Sequence, residues 1–344
     1  MKLKKLTSFT AVIALCAAML TSCSGTANSS SAENSSKIET TTTAATTAAA
    51  VSSESESSEP ENKQPSDITP AMWTITSPEG NKMVVAGSMH ALKDECYPLP
   101  EKIMDVYNSA DILAVECDTT NLGLSAQMSM ANQMMYKDGD TLKNHISDEA
   151  YNAVKDYLKT YNADISMYDT YKPWAVSSCL DAFALNASKL NANLGFDSYF
   201  MNLAHKENKE IYEVESVDFQ MDMLMNFSDD IYDVMFLAYE GETKETQTQS
   251  MLNLYEAWKK GDIEKLSEEN ETTHDYTEQQ MKYIDDYENQ MLYNRNEGMT
   301  KAIEDLLKDG KNVFYIVGAA HYVGDKGIIS LLEKDGYKAE RIEY

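Results

Sequence analysis

Apolar positions along the chain fall into two regimes. Short runs rich in β-branched and aromatic residues read as strands: Trp73-Thr-Ile-Thr76, Met83-Val-Val-Ala86, Ile112-Leu-Ala-Val115 and Val313-Phe-Tyr-Ile-Val317. The first two form a hairpin around Ser77-Pro-Glu-Gly80. Glu210-Ile-Tyr-Glu-Val-Glu215 alternates like a half-buried strand, and Tyr337 to Ile342 closes the chain as an edge strand. Helical spacing marks Pro100 to Tyr107, Leu122 to Tyr136, Ser147 to Tyr161, Trp174 to Leu190 and Gly327 to Lys334. Gly195 opens a further helix carrying Asp197 and His205. Pro100 suits a first helical turn, and Ser147 caps its helix with Asp148 and Glu149 at the positive end. Phe219 to about Leu307 contains no proline and reads as almost wholly helical, with Gly261 and Gly310 as stops. Strands alternating with helices at both ends, around a helical block, predict an α/β fold. Its centre is a mainly parallel sheet with flanking helices and a large helical insertion.

The N-terminus follows neither regime. Lys2, Lys4 and Lys5 precede an apolar stretch, Leu6 to Leu20, too short to span a bilayer. It ends in Leu20-Thr-Ser-Cys23, the pattern of a bacterial lipobox, in which the cysteine is diacylated and becomes the new N-terminus. Two acyl chains hold a protein stably at a membrane. Residues 24–69 are Ser, Thr, Ala and Glu with almost no large apolar side chains, too polar to bury a core. The expected organisation is a signal peptide over 1–22, a disordered tether over 23–69 and one folded domain over 70–344. Its expected place is the extracytoplasmic side of the cell membrane, lipid-anchored through Cys23.

Charge changes the choice of partner. Residues 1–69 hold 5 of the 29 basic and 7 of the 56 acidic residues, which leaves the domain at a net charge of −25. Such a surface repels nucleic acid and anionic headgroups and favours cations, metal ions or basic peptides. Cys96, Cys117 and Cys179 are the domain's only cysteines, an odd number, so at least one thiol is unpaired. The methionine-rich stretches, 128–135 and 221–225, read as helical packing rather than as copper ligands.

Two of the five histidines stand in one repeated phrase. Gly87-Ser-Met-His90 and Gly318-Ala-Ala-His321 each follow an apolar strand, 231 residues apart. Glu116 follows a third such strand. Ligands gather at the carboxyl ends of strands in open α/β sheets. Two imidazoles and a carboxylate there can bind a divalent ion with positions left open for water. Gly87 and Gly318 would give room and backbone freedom where chain and ligand crowd together. Ser88, Asp197 and Glu215 are candidates for orienting the ligands, and Arg295 for stabilising an oxyanion or a substrate carboxylate. His145, His205 and His274 lie in helical or loop contexts and read as structural.

These features resemble the TraB/GumN family, which includes the Tiki proteases of animals, over roughly Trp73 to Ile342. The resemblance is carried by both Gly-x-x-His phrases, Ala114-Val-Glu116, Lys172-Pro-Trp174, Gly195-Phe-Asp197, Tyr212-Glu-Val-Glu215 with Gln220, and Arg295 with Met299. Val317-Gly-Ala-Ala-His321 with Gly324, Gly327 and Gly336-Tyr337 is the nearest match. It implies the α/β arrangement of erythromycin esterases and ChaN-like proteins. Its Tiki branch implies metal-dependent proteolysis centred on His90, His321 and Glu116. This chain departs from the pattern at Tyr322, where the family often has leucine, and places a thiol, Cys117, beside the glutamate.

The resulting expectation is a tethered metal-dependent hydrolase, a peptidase acting on peptide or protein substrates. His90 and His321 would bind Mn, Co or Zn, with Glu116 as third ligand or general base and Arg295 assisting catalysis. Two rivals remain: a metal-independent hydrolase using a histidine base, and a non-catalytic lipoprotein that captures a peptide or signal molecule.

Overall fold

Six strands build the central sheet of the computed structural model, which describes residues 2–5, 64–267 and 270–344. They are β1 (Met72–Thr76), β2 (Lys82–Ser88), β3 (Ile112–Val115), β4 (Glu210–Glu213), β5 (Val313–Gly318) and β6 (Lys338–Arg341), in the order β4-β3-β5-β2-β1-β6. The neighbours β4-β3-β5-β2 run parallel, while β1 pairs antiparallel with both β2 and β6. The expected α/β fold with a mainly parallel sheet is therefore present. A separate antiparallel ribbon pairs Lys2–Lys5 with Asn270–Asp275. The lipobox and the rest of the expected signal peptide and tether lie outside the described residues, apart from short stretches at each end. No helix among the described residues is long and apolar enough to cross a membrane.

The central strands are buried on both sides, which is why they read as continuous apolar runs. Alternate residues point to opposite faces. On one face Phe314, Ile316, Leu113 and Ala86 pack against three helices: α1 (Glu101–Ser109), α5 (Phe196–Glu207) and α8 (Lys244–Lys259). On the other, Val313, Tyr315, Val317 and Ala114 meet α11 (Asn294–Lys308) and α12 (Ile328–Lys334). The remaining helices form a lobe with its own core. They include α2 (Leu124–Gln133), α3 (Asp148–Thr160), α4 (Pro173–Ser188), α6 (Val217–Met225), α7 (Asp229–Leu237) and α10 (Glu278–Glu288).

The stretch from Phe219 to Leu307, expected to be almost wholly helical with a stop at Gly261, is divided further. Ser228, Thr243 and Thr277 each accept a backbone N–H and start a new helix, two of them as capping boxes. The short α9 (Ile263–Ser267) and the strand Asn270–Asp275 fall within it, and Asn289–Tyr293 winds as a π-helix before α11. The caps on α3 match expectation, since Ser147 accepts from the Ala150 amide.

Candidate active site

Register brings the three strand ends together. Ser88 of β2 pairs with Gly318 of β5, and Val115 of β3 pairs with Ile316 of the same strand. His90, Glu116 and His321 therefore emerge side by side at the carboxyl edge of the parallel strands. A methyl group placed on Gly318 would lie 3.2 Å from Glu116 Oε1, 3.5 Å from the His321 ring and 3.6 Å from His90 Nε2. The three predicted groups thus surround one point. Gly318 has φ −50° and ψ 136°, which any residue can adopt. Its glycine provides room there, not the backbone freedom expected. Gly87 is likewise a matter of space, since a methyl there would come within 3.0 Å of the Ala319 backbone.

Each imidazole is held by its far nitrogen, from a different face of the sheet. His90 Nδ1 is 2.8 Å from Asp197 Oδ2, and Ser88 Oγ donates to Asp197 Oδ1 at 3.0 Å. Asp197 reaches it because α5 starts against the His90 main chain. A Cβ on Gly195 would stand 2.4 Å from the His90 carbonyl oxygen, so only glycine permits that approach. His321 Nδ1 lies 2.6 Å from Asn296 Oδ1 of α11. An amide oxygen only accepts, so His321 carries its proton on Nδ1 and presents a bare Nε2. That Nε2 is buried, has no hydrogen-bond partner, and stands 3.8 Å from Glu116 Oε1.

Glu116 is bound on both oxygens. Oε1 accepts the Gly318 amide at 2.7 Å, and Oε2 accepts from Gln220 at 3.1 Å and Arg295 at 2.5 Å. The Arg295 side chain, 3% exposed, also holds both oxygens of Glu215 and the Met291 carbonyl. All three of its nitrogens are thus engaged within the protein. It is placed as the counter-ion of Glu116 and Glu215. Gln220 ties the cluster together by bonding Glu116, Glu215 and the Cys117 thiol. Burial, then the Glu116 charge, pushes that thiol well up, so it is un-ionised.

Electrostatics separates the two histidines. Burial lowers the pKa of His90, but the charge and hydrogen bond of Asp197, with the Glu116 charge, outweigh it and hold the group up at about 9. Burial and then Arg295 drive His321 down to about 3. Burial also opposes ionisation of Glu116, and Arg295 with the imidazoles overcomes it, leaving a carboxylate far below its usual range. Asp197 is lowered as well, by His90 and Ser88 against burial.

The donor set suits a divalent cation in kind and in charge. Three carboxylates, Glu116, Glu215 and Asp197, stand with the Arg295 guanidinium and a protonated His90, so the cluster carries one negative charge in excess, and two once His90 gives up its proton to bind a cation. Carboxylate and amide partners on the far imidazole nitrogens are what metal-bound histidines use. The set is looser than a closed one. Neighbouring donors around a zinc-sized ion stand about 3.4 Å apart, against the 3.8 Å seen here. Among the described residues no three His, Cys, Asp or Glu groups are already drawn together as a ligand set. Beside the imidazoles a cavity of about 40 Å3, walled by Leu254, Trp258 and Leu266, has room for a few waters.

The model of the TraB/PrgY/gumN family matches residues 71–341. The chain belongs to that family. It is 24% identical to "Uncharacterized protein YbaP" of Escherichia coli (strain K12) over 155 residues, 45% of this chain and 56% of that one. The Shigella flexneri protein of the same name matches equally. A "Metalloprotease TIKI homolog" of Amphimedon queenslandica is 38% identical over 55 residues, 15% of this chain and 11% of that protein. The chain therefore spans about half the length of the YbaP proteins and a small part of the other. No solved structure matches.

Two residues of the site stand outside the sequence motifs: Asn296, which sets the His321 tautomer, and Trp258, whose indole N–H donates to the Gly87 carbonyl at 2.8 Å. The other histidines pair with carboxylates in more exposed places: His145 with Asp140 and Asp229, His205 with Asp118, and His274 with Glu240. Cys96, Cys117 and Cys179 are all buried, and no disulfide joins them to one another.

Proposed function

We propose that this chain is a metal-dependent hydrolase acting on peptide or protein substrates, tethered through Cys23 to the extracytoplasmic face of the membrane. One observation carries the reading: the buried, unpartnered Nε2 of His321 faces Glu116 and His90 across the space at Gly318. A buried nitrogen lone pair with no donor is costly unless something occupies it. The family and the likeness to a protein named as a metalloprotease add support for hydrolytic chemistry.

His90, His321 and Glu116 would hold a divalent ion, Mn, Co or Zn. When bound, it would acidify a water and polarise a carbonyl. Asp197 fixes His90 so that Nε2 faces the site, and Asn296 does the same for His321. Arg295 and Gln220 keep Glu116 ionised and in place, whether it acts as ligand or as base. Leu254, Trp258 and Leu266 line the space beside the imidazoles with apolar side chains.

The Asp197–His90 pair supports a second reading, in which an oriented imidazole transfers protons without a metal. Cleavage of a peptide library, with and without a strong chelator, tests both. The proposal expects cleavage that stops in chelator, returns with added Mn, Co or Zn, and is lost in His90→Ala and His321→Ala. Cleavage indifferent to chelator would contradict it in favour of the histidine base. Saturable peptide binding without turnover would favour a capture protein.

A further inference from the structure

Between α6 and α11 lies a second, larger cavity of about 640 Å3, in the range of small-ligand pockets. Glu215 and Arg295 line it together with Phe219, Asp222, Met223 and Gly298. None of these last four enters the chemistry above.

Two features of its wall have no explanation in packing. Gly298 sits inside α11, where glycine is the poorest helix former after proline. A methyl placed on it would meet nothing within 4 Å. No neighbour demands glycine there, and the position is exposed, so a larger side chain would extend into the cavity unopposed. The turn leading into the helix, Asn289–Tyr293, is a π-helix, a form found mostly where function needs it. It sets Gln290 against the same space.

The chemistry of the wall selects a ligand. Its charged groups are two carboxylates and Arg295, and every guanidinium nitrogen of Arg295 already bonds within the protein. Asp222 uses Oδ1 for the Asn226 amide, and its Oδ2 has no partner among the described residues. Phe219, 49% exposed, and Met223 provide an apolar flank. A free carboxylate beyond an aromatic ring and a thioether suits a cation on an apolar stem.

We propose that this cavity binds a basic side chain, lysine or arginine, presented by a peptide. The stem lies along Phe219 and Met223, and the charged head meets Asp222. The floor is the same Arg295 that holds Glu116, which places the bound group one ion pair from the imidazole site. The proposal stands without the hydrolase reading, because it concerns binding alone.

Calorimetric titration of the full chain with a capped alanine–arginine–alanine tripeptide tests it, with leucine and glutamate versions as comparisons. Saturable binding is expected for the arginine peptide, weaker by about tenfold or more for leucine, and absent for glutamate. Gly298→Leu should abolish binding while preserving or raising the thermal midpoint. Asp222→Asn should weaken binding by about tenfold, and it carries the test if the leucine variant does not fold. The proposal is overturned if the arginine peptide does not bind, binds no better than the leucine peptide, or binds equally to the variants.

Discussion

His90 and His321 leave neighbouring parallel strands by the same four-residue phrase, yet they meet opposite surroundings. His90 is held by a carboxylate from α5, on one face of the sheet, and is driven toward the charged form, with a pKa of about 9. His321 is held by an amide from α11, on the other face, and is driven toward the neutral form, at about 3. Burial acts the same way on both. The group on the far nitrogen decides the outcome, because a carboxylate stabilises an imidazolium and an amide oxygen supplies no charge to offset Arg295. The repeated phrase places two imidazoles at one point. The two helices, unlike each other, tune them.

The largest effect is expected from removing the charge that both histidines feel. Arg295→Met removes the cation from between Glu116 and Glu215, which are about nine-tenths buried at the side chain. Stranding buried carboxylates should cost about 3–5 kcal/mol in chemical denaturation, and His321 should become more basic. A loss below about 1 kcal/mol would mean that the ion pairs behave as surface ones.

The two glycines offer a finer test. Gly87→Ala pushes a methyl into the Ala319 main chain and should cost about 1–3 kcal/mol through overpacking. Gly318→Ala meets mainly side-chain atoms and should cost less stability, while obstructing the point that the three groups share. If Gly318→Ala retained full peptide cleavage, that point would not be where chemistry occurs.

Exchanging the far-nitrogen partners sharpens the contrast further. Asp197→Asn should bring His90 down from about 9, and Asn296→Asp should bring His321 up from about 3. Imidazole resonances followed by NMR across pH would read both shifts. Unmoved titrations would assign the difference to the surrounding charges of Arg295 and Glu116.

The smallest effect belongs to His145, which repeats the carboxylate-held imidazole nearer the surface, between Asp140 and Asp229 and stacked on Tyr136. Burial lowers its pKa, but the two carboxylates outweigh it and raise the group above its ordinary value. A raised folded value stabilises the fold below the unfolded pKa, about 6.5. That contribution disappears as pH rises through the folded value. His145→Ala should therefore cost more stability near about pH 5.5 than near about pH 9, and the difference should shrink in salt.

Strand ends are legible in the sequence because strands buried on both faces read as unbroken apolar runs and because glycine marks the exits. Gly195-Phe-Asp197 is legible too, since only glycine lets α5 approach the His90 backbone. Asn296 is not. The π-turn at Asn289–Tyr293 shifts the phase of the helix, so counting by α-helical spacing does not tell which face of α11 turns inward. The breaks within 219–307 follow from caps that the sequence does contain, such as Thr277 and Gln280, and that helix-wide periodicity overrides when read alone. Arg295 is recognisable as important but not as internally paired, because its carboxylate partners lie 179 and 80 positions away.

The central claim is that His90, Glu116 and His321 act as one cation site. Elemental analysis of the full chain, purified without a histidine tag, tests it directly beside His321→Ala and His90→Ala. Near-stoichiometric Mn, Co or Zn is expected in the parent chain, lost in both variants while each remains folded. Metal retained in the variants, or absent from the parent even after added divalent ions, would contradict it.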